Sequence, residues 1–148
     1  MAITLIRDGS IFDSQADALV NPVNCVGVMG KGLALEFKRR FPRNFRYYKI
    51  ACFREELKIG SSCVFYENGK FIINYPTKKH WKESSHIAYI AMGFSSLAFQ
   101  IQLCSIESIA VPALGCGLGG LKWSEVEPVI RKMLNEIPVE AELYAPQA

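Results

Sequence analysis

The chain has 148 residues, of which 50% are hydrophobic and 21% are charged, and its formal net charge is +3. This length is typical of one domain and is sufficient to bury a core that needs no disulfide or metal for its stability. The small net charge alone does not indicate a polyanionic partner. We therefore predict a single domain over residues 1–148.

The cysteine pattern and the N-terminal sequence indicate a compartment. The five cysteines are odd in number and scattered: Cys25, Cys52, Cys63, Cys104 and Cys116. No two of them have the C-x-x-C spacing of zinc ribbons or fingers, and the pattern is typical of free thiols in a reducing environment. The first residues, MAITLIRDGS, lack the basic and apolar regions of a signal peptide. We expect a cytoplasmic protein without a bound metal.

Strands and helices are predicted to alternate along the chain. Short apolar runs predict strands, and apolar residues spaced three or four apart predict helices. In chain order, the predicted elements are strands at 3–7 and 18–21, a helix from Leu33 that ends before Pro42, a helix at 44–53, a hairpin of 62–66 and 70–75, a long helix at 87–106, a strand at 108–114, a helix from Ser124 and a strand at 139–144. This alternation favours a three-layer α/β/α fold with a central mixed sheet.

Two of the predicted helices carry specific signals. The uncharged run at 87–106 is long enough to cross a membrane, but it contains Ser and Gln, and its apolar residues recur at i, i+3, i+4 and i+7. That spacing predicts an amphipathic core helix rather than a membrane span. In the last helix, Ser124 and Glu127 have the spacing of a capping box.

Seven of the eleven glycines lie in two loops, at 27–32 and 115–120. Each loop joins a predicted strand to a helix. Glycine allows backbone N–H groups to approach a ligand closely, and helix N-termini bind phosphate oxygens. Since ligands of open α/β sheets lie beyond the carboxyl ends of the strands, the two loops together predict a diphosphate site. The alternative is that these glycines only close tight turns.

Neither loop belongs to the two best-known phosphate motifs. The first contains Gly30-Lys31-Gly32 but lacks the Ser or Thr that follows the lysine of a P-loop. The second has the G-x-G-x-x-G spacing of a dinucleotide site from Gly115 to Gly120. Only 28 residues follow Gly120, which is too short for the βαβαβ unit that this fingerprint opens.

Several segments give the chain a resemblance to macro domains. They are 17–24 (DALVNPVN), 30–34 (GKGLA) and 111–123, which contains VPALGCGLGGL and a tryptophan. Two further segments, 26–32 (VGVMGKG) and 74–81 (NYPTKKHW), resemble the DarG branch, the antitoxins that remove ADP-ribose from DNA. The resemblance covers nearly the whole chain. It implies a macro-domain fold and an ADP-ribosyl hydrolase that acts on a base, thymine, of single-stranded DNA.

The resemblance also implies an ADP-ribose cleft at the carboxyl edge of the sheet. The diphosphate is expected between the glycine loops and the distal ribose near Asn24, whose amide could instead brace its own turn. Adenine is expected to contact Asp8 or a backbone group, and no cofactor is expected. The implied ligand-binding residues are Asp8, Ser10, Ile11, Asn21, Asn24, Val28, Met29, Gly30, Lys31, Gly32, Thr77, Pro112, Leu114, Gly115, Cys116, Gly117, Leu118 and Gly119.

Lys78 corresponds to the catalytic lysine of DarG-like and related macro domains. Its ammonium could stabilise charge on a departing group, or its neutral amine could attack carbon or form a Schiff base with an opened ribose. Both roles stay open at this point. Relatives that process protein esters have an acid in the second glycine loop, where this chain has Gly119, so a lysine-plus-aspartate mechanism is not expected.

Basic and aromatic residues predict contacts to nucleic acid. Residues 38–49 contain six basic residues and four aromatic residues and no acid, and the predicted contacts are Lys79, Trp81, Lys82 and Arg43. The alternative for the 38–49 segment is a solvated helix face. His80 and His86 are interpreted as structural or solvent-facing rather than as metal ligands, and Cys116 as an apolar filler rather than a nucleophile.

The expected partners are ADP-ribose in ADP-ribosylated single-stranded DNA and a cognate DNA ADP-ribosyltransferase toxin, and we expect a monomer. DarG proteins usually carry a further C-terminal region, whereas this chain ends soon after its last predicted strand. A stand-alone hydrolase is therefore the alternative to an antitoxin. Two other functions stay open: a non-catalytic ADP-ribose reader, and a hydrolase of ADP-ribose 1″-phosphate, O-acetyl-ADP-ribose or protein-linked ADP-ribose.

Overall fold

The computed structural model describes residues 2–147, in which six strands form one mixed sheet. The strands are β1 (Ile3–Ile6), β2 (Ala18–Asn24), β3 (Cys63–Glu67), β4 (Lys70–Lys78), β5 (Ser108–Val111) and β6 (Glu140–Tyr144). Their order across the sheet is β1-β6-β5-β2-β4-β3. All neighbouring strands are parallel except β3, which is antiparallel to β4 because a tight hairpin joins them.

Five α-helices cover the two faces of this sheet. They are α1 (Gly32–Arg40), α2 (Pro42–Phe53), α3 (Ile87–Met92), α4 (Phe94–Leu103) and α5 (Trp123–Asn135). Side chains alternate between the faces along each strand, so Leu19 packs with Phe37 of α1, while Val20 packs with Ile90 of α3. The helices α1 and α2 cover one face and α3 to α5 cover the other. The predicted three-layer α/β/α arrangement is confirmed.

The central strands β2 and β4 position the carboxyl edge of the sheet. They pair in parallel along their whole length, and their register shifts between Val23 and Asn24, so that Asn24 pairs with Lys78 at the end of β4. A local irregularity of this kind bends a strand and redirects the side chain that follows it. The chain leaves both strands at the same edge, where the first glycine loop begins.

The predicted long helix at 87–106 is wrong in one respect: it is two helices, α3 and α4, joined at Gly93. The ring of Tyr75 lies against Gly93, and the Tyr75 hydroxyl donates a hydrogen bond to the carbonyl of Ile90. The chain changes direction there because the buried tyrosine occupies the space of a side chain. None of the helices in residues 2–147 has both the length and the hydropathy that a membrane span requires.

The predicted capping box of the last helix is also wrong. The helix α5 begins at Trp123, and its N-cap residue, Lys122, makes no side-chain capping bond within the described chain. Ser124 and Glu127 therefore lie inside the helix, where Glu127 forms an ion pair with Arg131 at 2.9 Å. The strand predicted at 108–114 ends at Val111, and its last three residues belong to the loop at the carboxyl edge.

Candidate functional site

Two adjoining cavities form one cleft at the carboxyl edge of the sheet. The lysine cavity, of about 710 Å³, contains Lys78, and the Tyr144 cavity, of about 700 Å³, contains Tyr144. Both cavities are bordered by the same central residues: Pro22, Gly32, Leu33, Ala113, Cys116 and Gly117. These residues come from β2, α1 and the loop after β5. The cleft therefore lies where ligands of open α/β sheets bind.

The two glycine loops approach each other across this cleft. Gly32, the first residue of α1, has a φ of 60°, a left-handed conformation that favours glycine, and a Cβ there would lie 3.3 Å from Cδ1 of Leu118 in the second loop. The N-cap residue Lys31 makes no side-chain capping bond within the described chain. The first N–H groups of α1 are thus available to an anion held between the loops.

Lys78 ends β4 and lines the lysine cavity together with Thr77, Trp81 and Lys82. Its side chain is half-buried, and its Nζ donates a hydrogen bond to the carbonyl of Trp81 at 3.2 Å. This bond holds the amine within the loop that follows β4. It leaves further Nζ hydrogens available to a group in the cavity, since an ammonium has three donors.

The packing around Gly119 conflicts with an acid at this position. It is buried against Ser85, whose N–H donates to the Gly119 carbonyl at 2.9 Å. The Ser85 Oγ is held by the carbonyl of Thr77 at 2.6 Å, and a Cβ at residue 119 would lie 2.9 Å from that Oγ. A carboxylate side chain at this position would therefore displace Ser85. The second loop therefore contributes no aspartate to the lysine cavity.

Asn24 lies at the lysine cavity and also holds the first glycine loop. Its Oδ1 accepts hydrogen bonds from the N–H groups of Val26, at 3.0 Å, and Val28, at 3.4 Å, while its Nδ2 donates to the Val28 carbonyl at 2.7 Å. Asn24 therefore braces its own turn, which is one of the two roles that the sequence left open for it. An amide has two N–H donors, so one Nδ2 hydrogen is left for a ligand.

Tyr48 of α2 holds Asn24 in place through hydrogen bonds. It is fully buried, and its hydroxyl lies 2.8 Å from both the Oδ1 and the carbonyl oxygen of Asn24. Burial raises the pKa of the Tyr48 phenol above its usual value, so the hydroxyl stays protonated and acts as the donor to this pair of oxygens. The sequence contained no signal for this contact, because Tyr48 and Asn24 are 24 residues apart and meet only when α2 packs against the sheet.

We expect the Tyr48→Phe variant to loosen the first glycine loop. It keeps the ring but removes the donor to Asn24, which should lower the free energy of unfolding by about 1–2 kcal/mol. Amide hydrogen exchange at Val26 and Val28 should become faster than in the wild type. Tyr47→Phe is the matched control, since it removes a hydroxyl from the same helix without touching Asn24. Unchanged exchange in Tyr48→Phe would contradict the bracing role.

Three residues expected to bind the ligand have side chains that are buried away from the cleft. Asn21 points towards α2 and donates to Oδ1 of Asn74 at 3.2 Å. Met29 packs in the core under α2, and Leu114 packs in the core on the α3 to α5 side. All three are at most 1% exposed. Sequence neighbours of each residue line the cleft, but these three side chains turn into the core.

Three further residues lie outside both cavities. Asp8 is exposed and precedes Gly9 and Ser10, which do line the Tyr144 cavity. The Lys79 side chain lies against α3, with its Nζ 5.8 Å from the Tyr89 ring centroid. Arg43 lies far from the cleft: its backbone N–H donates to the carboxylate of Glu67 at the hairpin end of β4, roughly 25 Å along the strand from Lys78.

The other residues predicted at the site do line the cleft. They are Ser10, Ile11, Val28, Gly30, Lys31, Gly32, Thr77, Lys78, Trp81, Lys82, Pro112, Gly115, Cys116, Gly117, Leu118 and Gly119. The Tyr144 cavity also contains four residues that were not predicted from the sequence: Phe12, Glu36, Arg40 and Tyr144. The guanidinium carbon of Arg40 lies 4.4 Å from the centroid of the Phe12 ring, and Glu36 is one helical turn before Arg40 on α1. The helical spacing of 33, 36 and 40 was the available signal.

Two other side chains near the cleft, Cys116 and His80, are in environments that indicate structural roles. Burial raises the pKa of the Cys116 thiol, so the nucleophilic thiolate is scarce at neutral pH. Nδ1 of His80 accepts the N–H of Lys82 at 3.1 Å within the turn after β4. Residues 2–147 contain no group of three His, Cys, Asp or Glu side chains that could hold a metal ion.

Comparison with known proteins agrees with this architecture. The family model of the macro domain matches residues 20–130. The chain is a macro domain. This macro domain is 47% identical over 143 residues to a DNA ADP-ribosyl glycohydrolase of Mycobacterium tuberculosis, covering 93% of this chain and 41% of the relative. It is 44% identical over 144 residues to a DNA ADP-ribosyl glycohydrolase of Thermus aquaticus, covering 93% of this chain and 40% of the relative.

Solved structures show the same relationship. The macrodomain of Mycobacterium tuberculosis DarG is 46% identical and has a TM-score of 0.93, with 99% of each chain covered. Thermosipho africanus DarTG in complex with ADP-ribose is 36% identical and has a TM-score of 0.90, with 97% of this chain and 41% of that chain covered. The predicted resemblance to DarG is confirmed. This macro domain spans about two-fifths of the length of the curated relatives, given their 40–41% coverage.

Proposed function

We propose that this macro domain is a hydrolase that binds ADP-ribose in the cleft and removes it from a thymine base of single-stranded DNA. The observation that carries the proposal is the position of Lys78, at the end of β4 in the lysine cavity, beside Trp81 and opposite the second glycine loop. The names and identities of the curated relatives support the same reaction, because they are DNA ADP-ribosyl glycohydrolases.

The two cavities suit the two ends of ADP-ribose. The Tyr144 cavity has an aromatic ring, Phe12, and backbone groups of residues 9–11, which suits an adenosine. The diphosphate would lie between the glycine loops, at the N–H groups of the first turn of α1. The distal ribose would then enter the lysine cavity. The remaining Nδ2 hydrogen of Asn24 and the Nζ of Lys78 are the donors available to its hydroxyls.

The mouth of the lysine cavity suits a nucleobase. Trp81 is 46% exposed, which is high for the largest apolar side chain, and the Nζ of Lys82 lies 5.0 Å from its ring centroid. An exposed ring beside cations is the combination that binds single-stranded nucleic acid, because bases stack on the ring and phosphates pair with the cations. We therefore place the modified base at Trp81 and the adjoining phosphate at Lys82.

The packing of Gly119 favours a base-linked substrate over a protein ester. Ser85 packs against Gly119 at the position where ester-processing relatives are expected to have an acid, so the second loop offers no carboxylate to assist Lys78. This arrangement supports a mechanism that uses Lys78 without an aspartate from the second loop. We further propose that the reaction reverses a DNA ADP-ribosyltransferase. In the Thermosipho africanus relative, the two activities are named in one fusion protein.

The proposal is tested by the choice of substrate. The wild-type protein should release ADP-ribose from an oligonucleotide with ADP-ribosylated thymine, and should leave ADP-ribose 1″-phosphate, O-acetyl-ADP-ribose and an ADP-ribosylated glutamate peptide unchanged. Release should weaken steeply as salt rises, because the DNA phosphates contribute to binding. Binding of ADP-ribose in calorimetry without release from any substrate would instead identify a reader. Release only from the peptide or the small molecules would reject the DNA substrate.

A further inference from the structure

A stripe of exposed residues on α2 lies beside the cleft and has no role in the site described so far. Arg46, Lys49, Ile50 and Phe53 follow the spacing i, i+3, i+4 and i+7, so they share one face of the helix. All four are exposed, with Ile50 at 52% and Phe53 at 89%. We call these four residues the α2 stripe. Ile50 and Phe53 lie three residues apart on this face and form an exposed apolar patch beside two cations, and contiguous patches of this kind mark contact surfaces.

The α2 stripe is positively charged and unneutralised. The sequence has no acidic residue between Glu36 and Glu55. Glu36 pairs with Arg39 and Arg40, and Glu56 pairs with Arg54 at 3.9 Å. None of the ion pairs in the described part of the chain involves a cation of the stripe. The two glutamates after Phe53 mark the end of the charged surface.

The stripe is physically continuous with the lysine cavity. Gly27 of the first glycine loop packs on the stripe, since a Cβ there would lie 3.7 Å from Cγ of Lys49. The same loop contributes Val28 and Lys31 to the lysine cavity. On the other side, Phe45 lies between two cations, with the Nζ of Lys38 4.6 Å and the Nζ of Lys49 5.6 Å from its ring centroid. The cationic surface thus runs from the cavity mouth onto α2.

We propose that the α2 stripe binds the single-stranded DNA that flanks the modified nucleotide. Arg46 and Lys49 would contact phosphates, and a base would stack on Phe53, as cations and exposed rings do in single-strand binding sites. The proposal rests on the proposed function for the identity of the substrate. It adds that the protein reads more of the strand than the modified nucleotide, through a surface on the α1 and α2 side of the sheet.

Direct DNA binding tests the stripe without relying on hydrolysis. The probe is a fluorescein-labelled, unmodified oligothymidine of about 16 nucleotides, the upper site size for a small single-strand binding domain, and the readout is fluorescence anisotropy. Phe53→Ala should raise the Kd about tenfold through the loss of one stacked base. The double variant Arg46→Ala/Lys49→Ala should reduce the slope of log Kd against log salt by about 1.4.

Matched control variants lie on the opposite face of the sheet. Phe99→Ala removes an exposed ring from α4, where Phe99 is 62% exposed, and Lys132→Ala removes an exposed cation from α5. Both controls should bind the oligonucleotide as the wild type does. Since every substituted residue is exposed, thermal unfolding should be nearly the same in all variants. Oligonucleotide binding that is equally strong in the stripe variants and the controls would overturn the proposal.

A second measurement distinguishes DNA binding by the α2 stripe from the proposed hydrolysis. With ADP-ribosylated substrates, the stripe variants should raise KM for the long oligonucleotide and leave turnover of a modified trinucleotide unchanged. If the wild type releases no ADP-ribose from either substrate, the proposed function fails, while the anisotropy result still decides on the stripe. If the long and the short substrates are affected equally, the stripe does not bind flanking DNA.

Discussion

Replacing Lys78 by alanine should lower the release of ADP-ribose from DNA far more than it lowers the binding of free ADP-ribose. The Nζ of Lys78 is the cationic group that the lysine cavity presents from the end of β4, and the buried Gly119 leaves no acid in the second loop to share its role. A group that acts in the transition state affects turnover more than ground-state affinity. We expect turnover to fall by about a thousandfold, the order associated with the loss of one catalytic group.

Turnover of the modified oligonucleotide and calorimetry with ADP-ribose check this expectation together. The matched control is Lys132→Ala, which removes an exposed lysine from α5 on the far side of the sheet and should leave both measurements unchanged. An equal loss of turnover and of ADP-ribose affinity would instead show that Lys78 only binds the ligand. Full turnover in Lys78→Ala would reject its catalytic role.

The same position separates the two chemical roles of the lysine. Lys78→Arg keeps the positive charge but offers no amine that can form a Schiff base with an opened ribose. An electrostatic role predicts that the arginine variant keeps part of the activity. A Schiff-base role predicts that it is inactive and that borohydride reduction during turnover links ADP-ribose covalently to the wild type. The structure makes Lys78 accessible to the cavity for either role.

Gly93→Ala should strongly destabilise the core on the α3 side. A Cβ at residue 93 would lie 2.8 Å from Cε1 of Tyr75 and closer still to Cζ. Tyr75 is fully buried and its hydroxyl is held by the carbonyl of Ile90, so its ring has no room to move. We expect the free energy of unfolding to fall by about 3 kcal/mol. The midpoint of thermal unfolding should fall by roughly 6–12 °C.

The backbone at Gly93 does not account for this effect. Its φ of −78° and ψ of −7° suit any residue, so the alanine itself would stabilise the chain by about 0.4–1 kcal/mol through its smaller unfolded-state entropy. A loss of stability therefore measures the overlap with Tyr75. Ser95→Ala, at an exposed position two residues further on, is the control that should change stability little. A Gly93→Ala protein as stable as the wild type would show that Tyr75 can give way.

Some residues of the cleft could be predicted because they belong to local sequence motifs. The glycine loops were identified from composition and position, and Lys78 from the segment NYPTKKHW. Asn24 was predicted at the cleft, but its role as a brace depends on Tyr48, which is 24 residues away in the chain. Phe12 and Arg40 escaped notice because the cavity they share joins a short 3-10 helix after β1 to the end of α1. No local pattern records such contacts.

The sequence by itself determined the order of strands and helices, the α/β class and the macro-domain family, since periodicity, glycine placement and motif segments are local properties. Only the tertiary structure decided the break at Gly93, the inward direction of Asn21, Met29 and Leu114, and the distance of Arg43 from the cleft. Those features depend on which distant side chain occupies a given space. Close packing in the core therefore settled what local propensity left open.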